Sequence, residues 1–176
     1  MLQKSMNIPL PDWATANRVQ KYLAEIVTLD YEIASYTTQM KRINGGTLLN
    51  QFIQNMNRRT NTSTPKMYLY SGHEINIAAF AKVHGLTEPK IPDYGSAIIV
   101  EKWRGYNGKD FIQMFLWTGV TEKFITYKVP RCTTMCSYDR YLKLLEAVIP
   151  SKEELSCLWN NVTKDNLRDY YNENEN

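Results

Sequence analysis

Histidine is scarce in this sequence and long apolar runs are missing. Only His73 and His84 occur among 176 residues. No Gly-x-Ser-x-Gly is present, so the strained turn that exposes a hydrolase serine has no counterpart, and Tyr70-Ser71-Gly72 alone is only a turn. A zinc protease of the His-Glu-x-x-His type needs a second histidine where Ile77 stands. Gly105 to Gly108 precedes no Gly-Lys-Ser/Thr, which makes it a hairpin turn rather than a phosphate loop. The three cysteines, Cys132, Cys136 and Cys157, have no histidine near enough in sequence to complete a tetrahedral zinc site, so no metal is expected. No run reaches the length of a membrane span, and Met1-Leu2-Gln3-Lys4-Ser5 has no signal-peptide core.

The charge balance is similarly unassertive. Net charge is +3 and no basic run is longer than Arg58-Arg59, which gives nucleic-acid binding no electrostatic footprint. A hydrophobic fraction of 43% is enough to bury the core of a single domain. Asn61-Thr62-Ser63 and Asn161-Val162-Thr163 are glycosylation sequons, which matter only in an exported chain. Cysteines and sequons point to export while no export signal is visible, so a missing N-terminal piece is expected.

In chain order, Pro9-Leu10-Pro11 leads to Asp12 as N-cap of a helix, with Trp13, Val19, Tyr22, Leu23, Ile26 and Val27 on one stripe. A second helical stretch near Asp30 to Lys41 is expected to break at Asn44-Gly45-Gly46, and Leu48, Leu49, Phe52, Ile53 and Met56 mark the next helix. Arg58 to Pro65 reads as an exposed loop, Met67 to Tyr70 as a short strand, and Gly85 as the end of the helix that follows. Leu86 to Tyr94 crosses to strands at Ser96–Trp103 and Phe111–Trp117, joined by a hairpin that Asn107-Gly108 signals. The aromatic side chains Phe111, Phe115 and Trp117 are expected in the core. Phe124–Val129 is a further strand, Ser137 caps a helix with Tyr141, Leu144, Leu145 and Val148, and Ser151-Lys152-Glu153-Glu154 opens a last one with a capping box. Residues 160–176 read as a polar, disordered tail.

Tyr68-Leu69-Tyr70-Ser71-Gly72-His73-Glu74 has two compatible readings. Ser71 and Glu74 fit a capping box. Alternatively, a strand end followed by a helix N-terminus is where α/β proteins hold ligands, and His73 beside Glu74 suits an anion and a proton transfer. His84, eleven residues on and about three helical turns or roughly 16 Å away, reads as a structural histidine whose partial positive charge suits a helix C-terminus.

Five blocks in order then carry a resemblance: Pro11-Asp12-Trp13-Ala14, Gly45-Gly46-Thr47-Leu48-Leu49, the Tyr68–Glu74 stretch, Asp93-Tyr94-Gly95-Ser96 running to Glu101, and the pattern Cys132, Cys136, Cys157. Together they resemble histidine acid phosphatases of the prostatic, lysosomal and insect venom branch, over about Pro9 to Trp159. The resemblance implies an α/β sandwich with a mixed sheet, antiparallel edge strands and flanking helices. Residues 1–159 would be the C-terminal portion of the phosphatase domain, the N-terminal half being absent. It further implies hydrolysis of phosphomonoesters through a phosphohistidine, with His73 binding the phosphate, Glu74 donating the leaving-group proton, and no cofactor. It implies a Cys132–Cys136 disulfide, an unpaired Cys157, glycans at Asn61 and Asn161, a secreted or lysosomal location, and a possible homodimer of the full-length protein.

One departure limits that reading. The family's nucleophile lies in an Arg-His-Gly motif, and that tripeptide does not occur here. Arg42 and Arg104 match no phosphate-clamp motif, and Glu74 stands where Asp is common. The expectation is therefore an acid phosphatase in the full-length protein and an inactive chain on its own. The alternative is a non-catalytic phosphatase-like secreted glycoprotein or interaction module.

Overall fold

The computed structural model describes residues 8–58 and 65–155. Helices come first. A single turn, α1 (Asp12–Thr15), is followed after Ala16 by α2 (Asn17–Ala34). Asp12 is not the cap expected of it: Pro11 holds the N-cap position and Asp12 lies inside the first turn. There its carboxylate faces the positive end of the helix, which is favourable without a capping bond.

The next break also differs from expectation. It falls at Ser35–Tyr36, where Thr37 adopts extended backbone and its Oγ1 accepts from the Met40 N–H at 3.1 Å to start α3 (Thr38–Lys41). Asn44-Gly45-Gly46 then breaks nothing, because a π-turn (Arg42–Gly46) carries the chain into α4 (Thr47–Asn57). The glycines serve packing instead. A Cβ on Gly45 would overlap the Ala79 carbonyl and the Val83 side chain, and one on Gly46 would overlap the Val148 carbonyl.

Met67–Tyr70 is not a strand, since none of the strands among the described residues lies alongside it. It leads, without regular secondary structure, into α5 (Glu74–Val83). The sheet lies beyond. β1 (Ser96–Arg104) pairs antiparallel with β2 (Asp110–Thr118) along its whole length, Ser96 opposite Thr118 and Arg104 opposite Asp110. The other edge of β2 is shared by β3 (Phe124–Tyr127) and the two-residue β4 (Cys136–Ser137), both antiparallel. Antiparallel strands and flanking helices accord with an α/β histidine-phosphatase-like fold. α6 (Tyr138–Leu145) follows with Ser137 at its N-cap position, and after a 3₁₀ turn comes α7 (Lys152–Leu155). The expected capping box there forms both bonds, Ser151 N–H to Glu154 Oε2 at 2.8 Å and Glu154 N–H to Ser151 Oγ at 3.2 Å.

The core lies on one face of the sheet. Ile112, Met114 and Leu116 of β2 point into it and meet Leu49, Phe80, Val83, Tyr141 and Leu145 from α4, α5 and α6. Strand side chains alternate with period two, so Phe111, Phe115 and Trp117 occupy the opposite face, half-buried. Their expected core position belongs to their even-numbered neighbours.

Candidate active site

α5 is apolar nearly all round. Ala78, Ala79, Phe80, Ala81 and Val83 are buried, and of its two ends the N-terminal one exposes polar groups, Glu74 and Asn76. Both histidines of the sequence sit at those ends, His73 as N-cap and His84 as C-cap. Ser71 is therefore not the cap. Extended backbone at His73 starts the helix, and Asn76 turns its side chain back so that Oδ1 accepts from the His73 N–H at 2.8 Å. Gly72 leaves room for this: a Cβ there would stand 2.9 Å from the same amide oxygen. His73 and Glu74 are consequently side by side, both exposed, in the first turn of a ten-residue helix. An imidazole and a carboxyl at the positive end of a helix can hold an anion and move a proton.

The chain leading to this point is fastened on one side and bare on the other. Tyr70 stacks on Phe52 with ring centroids 5.0 Å apart and accepts a hydrogen bond from the Asn55 amide; Phe52 in turn lies 4.8 Å from Phe80. Tyr68 turns inward too, its buried hydroxyl without a hydrogen-bond partner among the described residues, while Met67 and Leu69 are 78% and 87% exposed. Sequence reasoning missed Tyr31. It is the buried residue of α2, and burial first, then the Glu74 and Asp30 carboxylates, push its phenol pKa upward. Tyr31 thus lies within the field of Glu74, though no local sequence signal joins positions 43 residues apart.

The remaining candidates are placed elsewhere. His84 is structural as expected, but the expected partial charge is wrong. It is 2% exposed, and burial drives its pKa from 6.5 down to about 4, so the ring is neutral. Arg42 donates from Nε to the Ala147 carbonyl at 2.9 Å and pairs with Glu154 at 3.2 Å, while Arg104 pairs with Asp110. Both guanidinium groups are engaged in structural contacts. A groove of about 370 Å³ between α4 and α6 is lined by Asn50, Ile53, Leu142, Lys143, Glu146 and Ile149, none of them a candidate residue. Cys132 and Cys136 form a disulfide with Cα atoms 5.4 Å apart. Cys157, Asn61, Asn161 and the expected tail at 160–176 lie outside the described residues.

Sequence comparison bears on the same region. The chain is 32% identical over 158 residues to the venom acid phosphatase Acph-1 of Apis mellifera, covering 88% of this chain and 40% of that protein. It is 27% identical over 158 residues to the lysosomal acid phosphatase of Rattus norvegicus, covering 88% and 37%, and 26% identical over 155 residues to the prostatic acid phosphatase of the same organism, covering 86% and 40%. The chain therefore spans about two fifths of the length of these relatives. Residues 2–116, which include His73 and Glu74, match the family described as the histidine phosphatase superfamily, branch 2. The chain belongs to that superfamily.

Proposed function

We propose that this chain forms the C-terminal portion of an acid phosphatase, residues 1–159 being its share of the domain, and that it supplies the proton-donor side of the active site. The carrying observation is the placement of His73 and Glu74 together at the open N-terminal end of α5, inside the region that matches the superfamily. In this reading the substrate is a phosphomonoester and His73 binds its phosphate. A histidine from an Arg-His-Gly segment, which these 176 residues do not contain, attacks phosphorus. The P–O bond to the leaving group breaks, and the Glu74 carboxyl gives that oxygen its proton. An alkoxide leaves poorly, and a positioned acid contributes roughly 10²–10⁴-fold to such a step. Glu is one methylene longer than Asp, so the carboxyl has to fold back toward the leaving oxygen. The Cys132–Cys136 disulfide suits a secreted or lysosomal location, with Asn61 and Asn161 as glycan sites and a homodimer as the full-length assembly.

Leaving-group dependence tests the roles. The chain by itself should not turn over an aryl phosphate. Joined to the Arg-His-Gly portion of a relative such as the Apis mellifera enzyme, it should gain activity. Glu74→Gln should then lower kcat about 10²–10⁴-fold on an alkyl phosphate and much less on a nitrophenyl phosphate, whose leaving group needs no proton. Equal losses on both substrates would remove Glu74 from the donor role. Turnover by the unsupplemented chain, abolished in His73→Ala, would show that the Arg-His-Gly portion is dispensable. A second reading is a non-catalytic phosphatase-like glycoprotein or interaction module. Failure of the joined protein to gain any activity would support it.

A further inference from the structure

We propose that His84 and Tyr141 form an acid-opened latch that fastens the C-terminal end of α5 to α6. The geometry fixes every proton of the pair. His84 Nδ1 lies 2.7 Å from the Phe80 carbonyl oxygen, which can only accept, so Nδ1 carries the ring hydrogen. Nε2 is then a bare acceptor, and the Tyr141 hydroxyl 2.8 Å away donates to it. The two residues come from positions 57 apart and are 2% and 0% exposed. The latch sits where α5 ends in a Schellman turn: Gly85 N–H bonds the Lys82 carbonyl and Leu86 N–H the Ala81 carbonyl, both at 3.0 Å, with Gly85 at φ +70°.

A proton added at Nε2 leaves the Tyr141 hydroxyl without its acceptor. The oxygen has to take a hydrogen bond from Nε2–H instead and turn its own hydrogen toward apolar surroundings, because Tyr141 is fully buried. Among the described residues, no charged group lies against the ring to neutralise the new charge. Phe80 packs on the ring from α5 itself, with centroids 4.7 Å apart, and Tyr141 faces it from α6 with Tyr138 behind, a ring whose pKa burial pushes up to about 12. The charged residues of α6, Asp139, Arg140 and Lys143, are exposed. On α5, Glu74 is at the far end and Lys82 is paired with Glu32. Asp110, beyond Tyr138, is held by Lys102 and Arg104. Burial disfavours the imidazolium and only the Phe80 carbonyl acts the other way, so the folded pKa lies below the ordinary one. The closed latch therefore contributes its full stability above pH 6.5, and that contribution is lost as pH falls toward 4, where the ring protonates in the folded state as well. Acid loosens the anchor of the helix whose other end bears His73 and Glu74.

Imidazole ¹⁵N shifts and amide exchange on the full chain, with His84→Gln and Tyr141→Phe as variants, test this. At neutral pH the His84 ring should show the Nδ1–H tautomer. Below pH 6.5 the unfolding constant of the wild type should rise up to about tenfold per pH unit more steeply than that of His84→Gln, which has an acceptor and no titration. Protection of the Gly85 and Leu86 amides should fall with acid ahead of the Met114 amide, and in Tyr141→Phe it should already be low at neutral pH. An Nε2–H tautomer, or Gly85 and Leu86 losing protection only together with Met114, overturns the latch. Both are read on the wild type, so they decide the matter even if neither variant folds.

Discussion

α2 and α5 are both helices with a strong apolar component, yet the molecule treats them in opposite ways. α5 is buried nearly all round and carries the candidate site on its first turn. α2 buries Tyr31 on one side and presents Tyr22, Leu23, Ile26, Leu29 and Ile33 to solvent on the other, with Ile26 62% and Leu29 57% exposed. Periodicity in a sequence shows that a helix has an apolar stripe. It does not show whether that stripe faces the core. α5 is the better case for local reasoning because it has no polar face to choose between.

Truncation at matched positions should separate the two helices most widely. Phe80 contacts Phe52 and His84 in the core, and Phe80→Ala should cost about 3–5 kcal/mol in urea denaturation. Ile26→Ala should change stability by no more than about 0.5 kcal/mol. A loss of about 2–4 kcal/mol for Ile26→Ala would break the comparison, since costs of that size belong to covered side chains.

The same division explains what was readable beforehand. The hairpin was legible because Asn107-Gly108 and the alternation on either side are local, and Gly108 takes the positive φ of 75° that the turn requires. The Ser151–Glu154 capping box was legible for the same reason. His73 and Glu74 could be named as a pair because they are neighbours in the chain. What depended on distant partners was not readable. Met67–Tyr70 has strand composition but no partner strand among the described residues. Gly45 and Gly46 resemble a break until Ala79 and Val148 are seen against them. The charge state of His84 is set by burial beside Tyr141, and the proximity of Tyr31 to Glu74 by the packing of α2 on α5. Phe111, Phe115 and Trp117 misled because alternation marks two faces without naming the inner one.

The closeness of packing around α5 gives a second, smaller effect. Gly45→Ala drives a methyl group into the Ala79 carbonyl and Val83, and should cost about 1–3 kcal/mol in the same denaturation experiment. On α2, Ala24 is partly buried, and Ala24→Gly should cost about 1 kcal/mol through helix propensity. If Gly45→Ala proved neutral, α5 would have room to move away, and its rigid burial would no longer distinguish it from α2.

The smallest expected effect concerns the helix starts. α5 begins with a reciprocal contact in which Asn76 accepts from the His73 N–H at 2.8 Å, whereas α2 begins at Ala16, which has no side-chain oxygen to offer. Ala16 already has the extended backbone of an N-cap, φ −64° and ψ 127°, so Ala16→Asp should let a carboxylate accept from the first turn and stabilise the protein by about 0.5–1 kcal/mol. Asn76→Ala should lose a few tenths of a kcal/mol, because the His73 N–H is exposed and water replaces the amide. Thermal unfolding of the two variants therefore moves in opposite directions, by about 1–4 °C each. Stability is only half of the expectation for Asn76. The bond from His73 to Asn76 fixes the backbone from which the imidazole projects, so Asn76→Ala in the joined phosphatase should raise KM more than its small stability loss would suggest. An unchanged KM would make Asn76 a helix cap and nothing more, and would detach the start of α5 from the chemistry of its first turn.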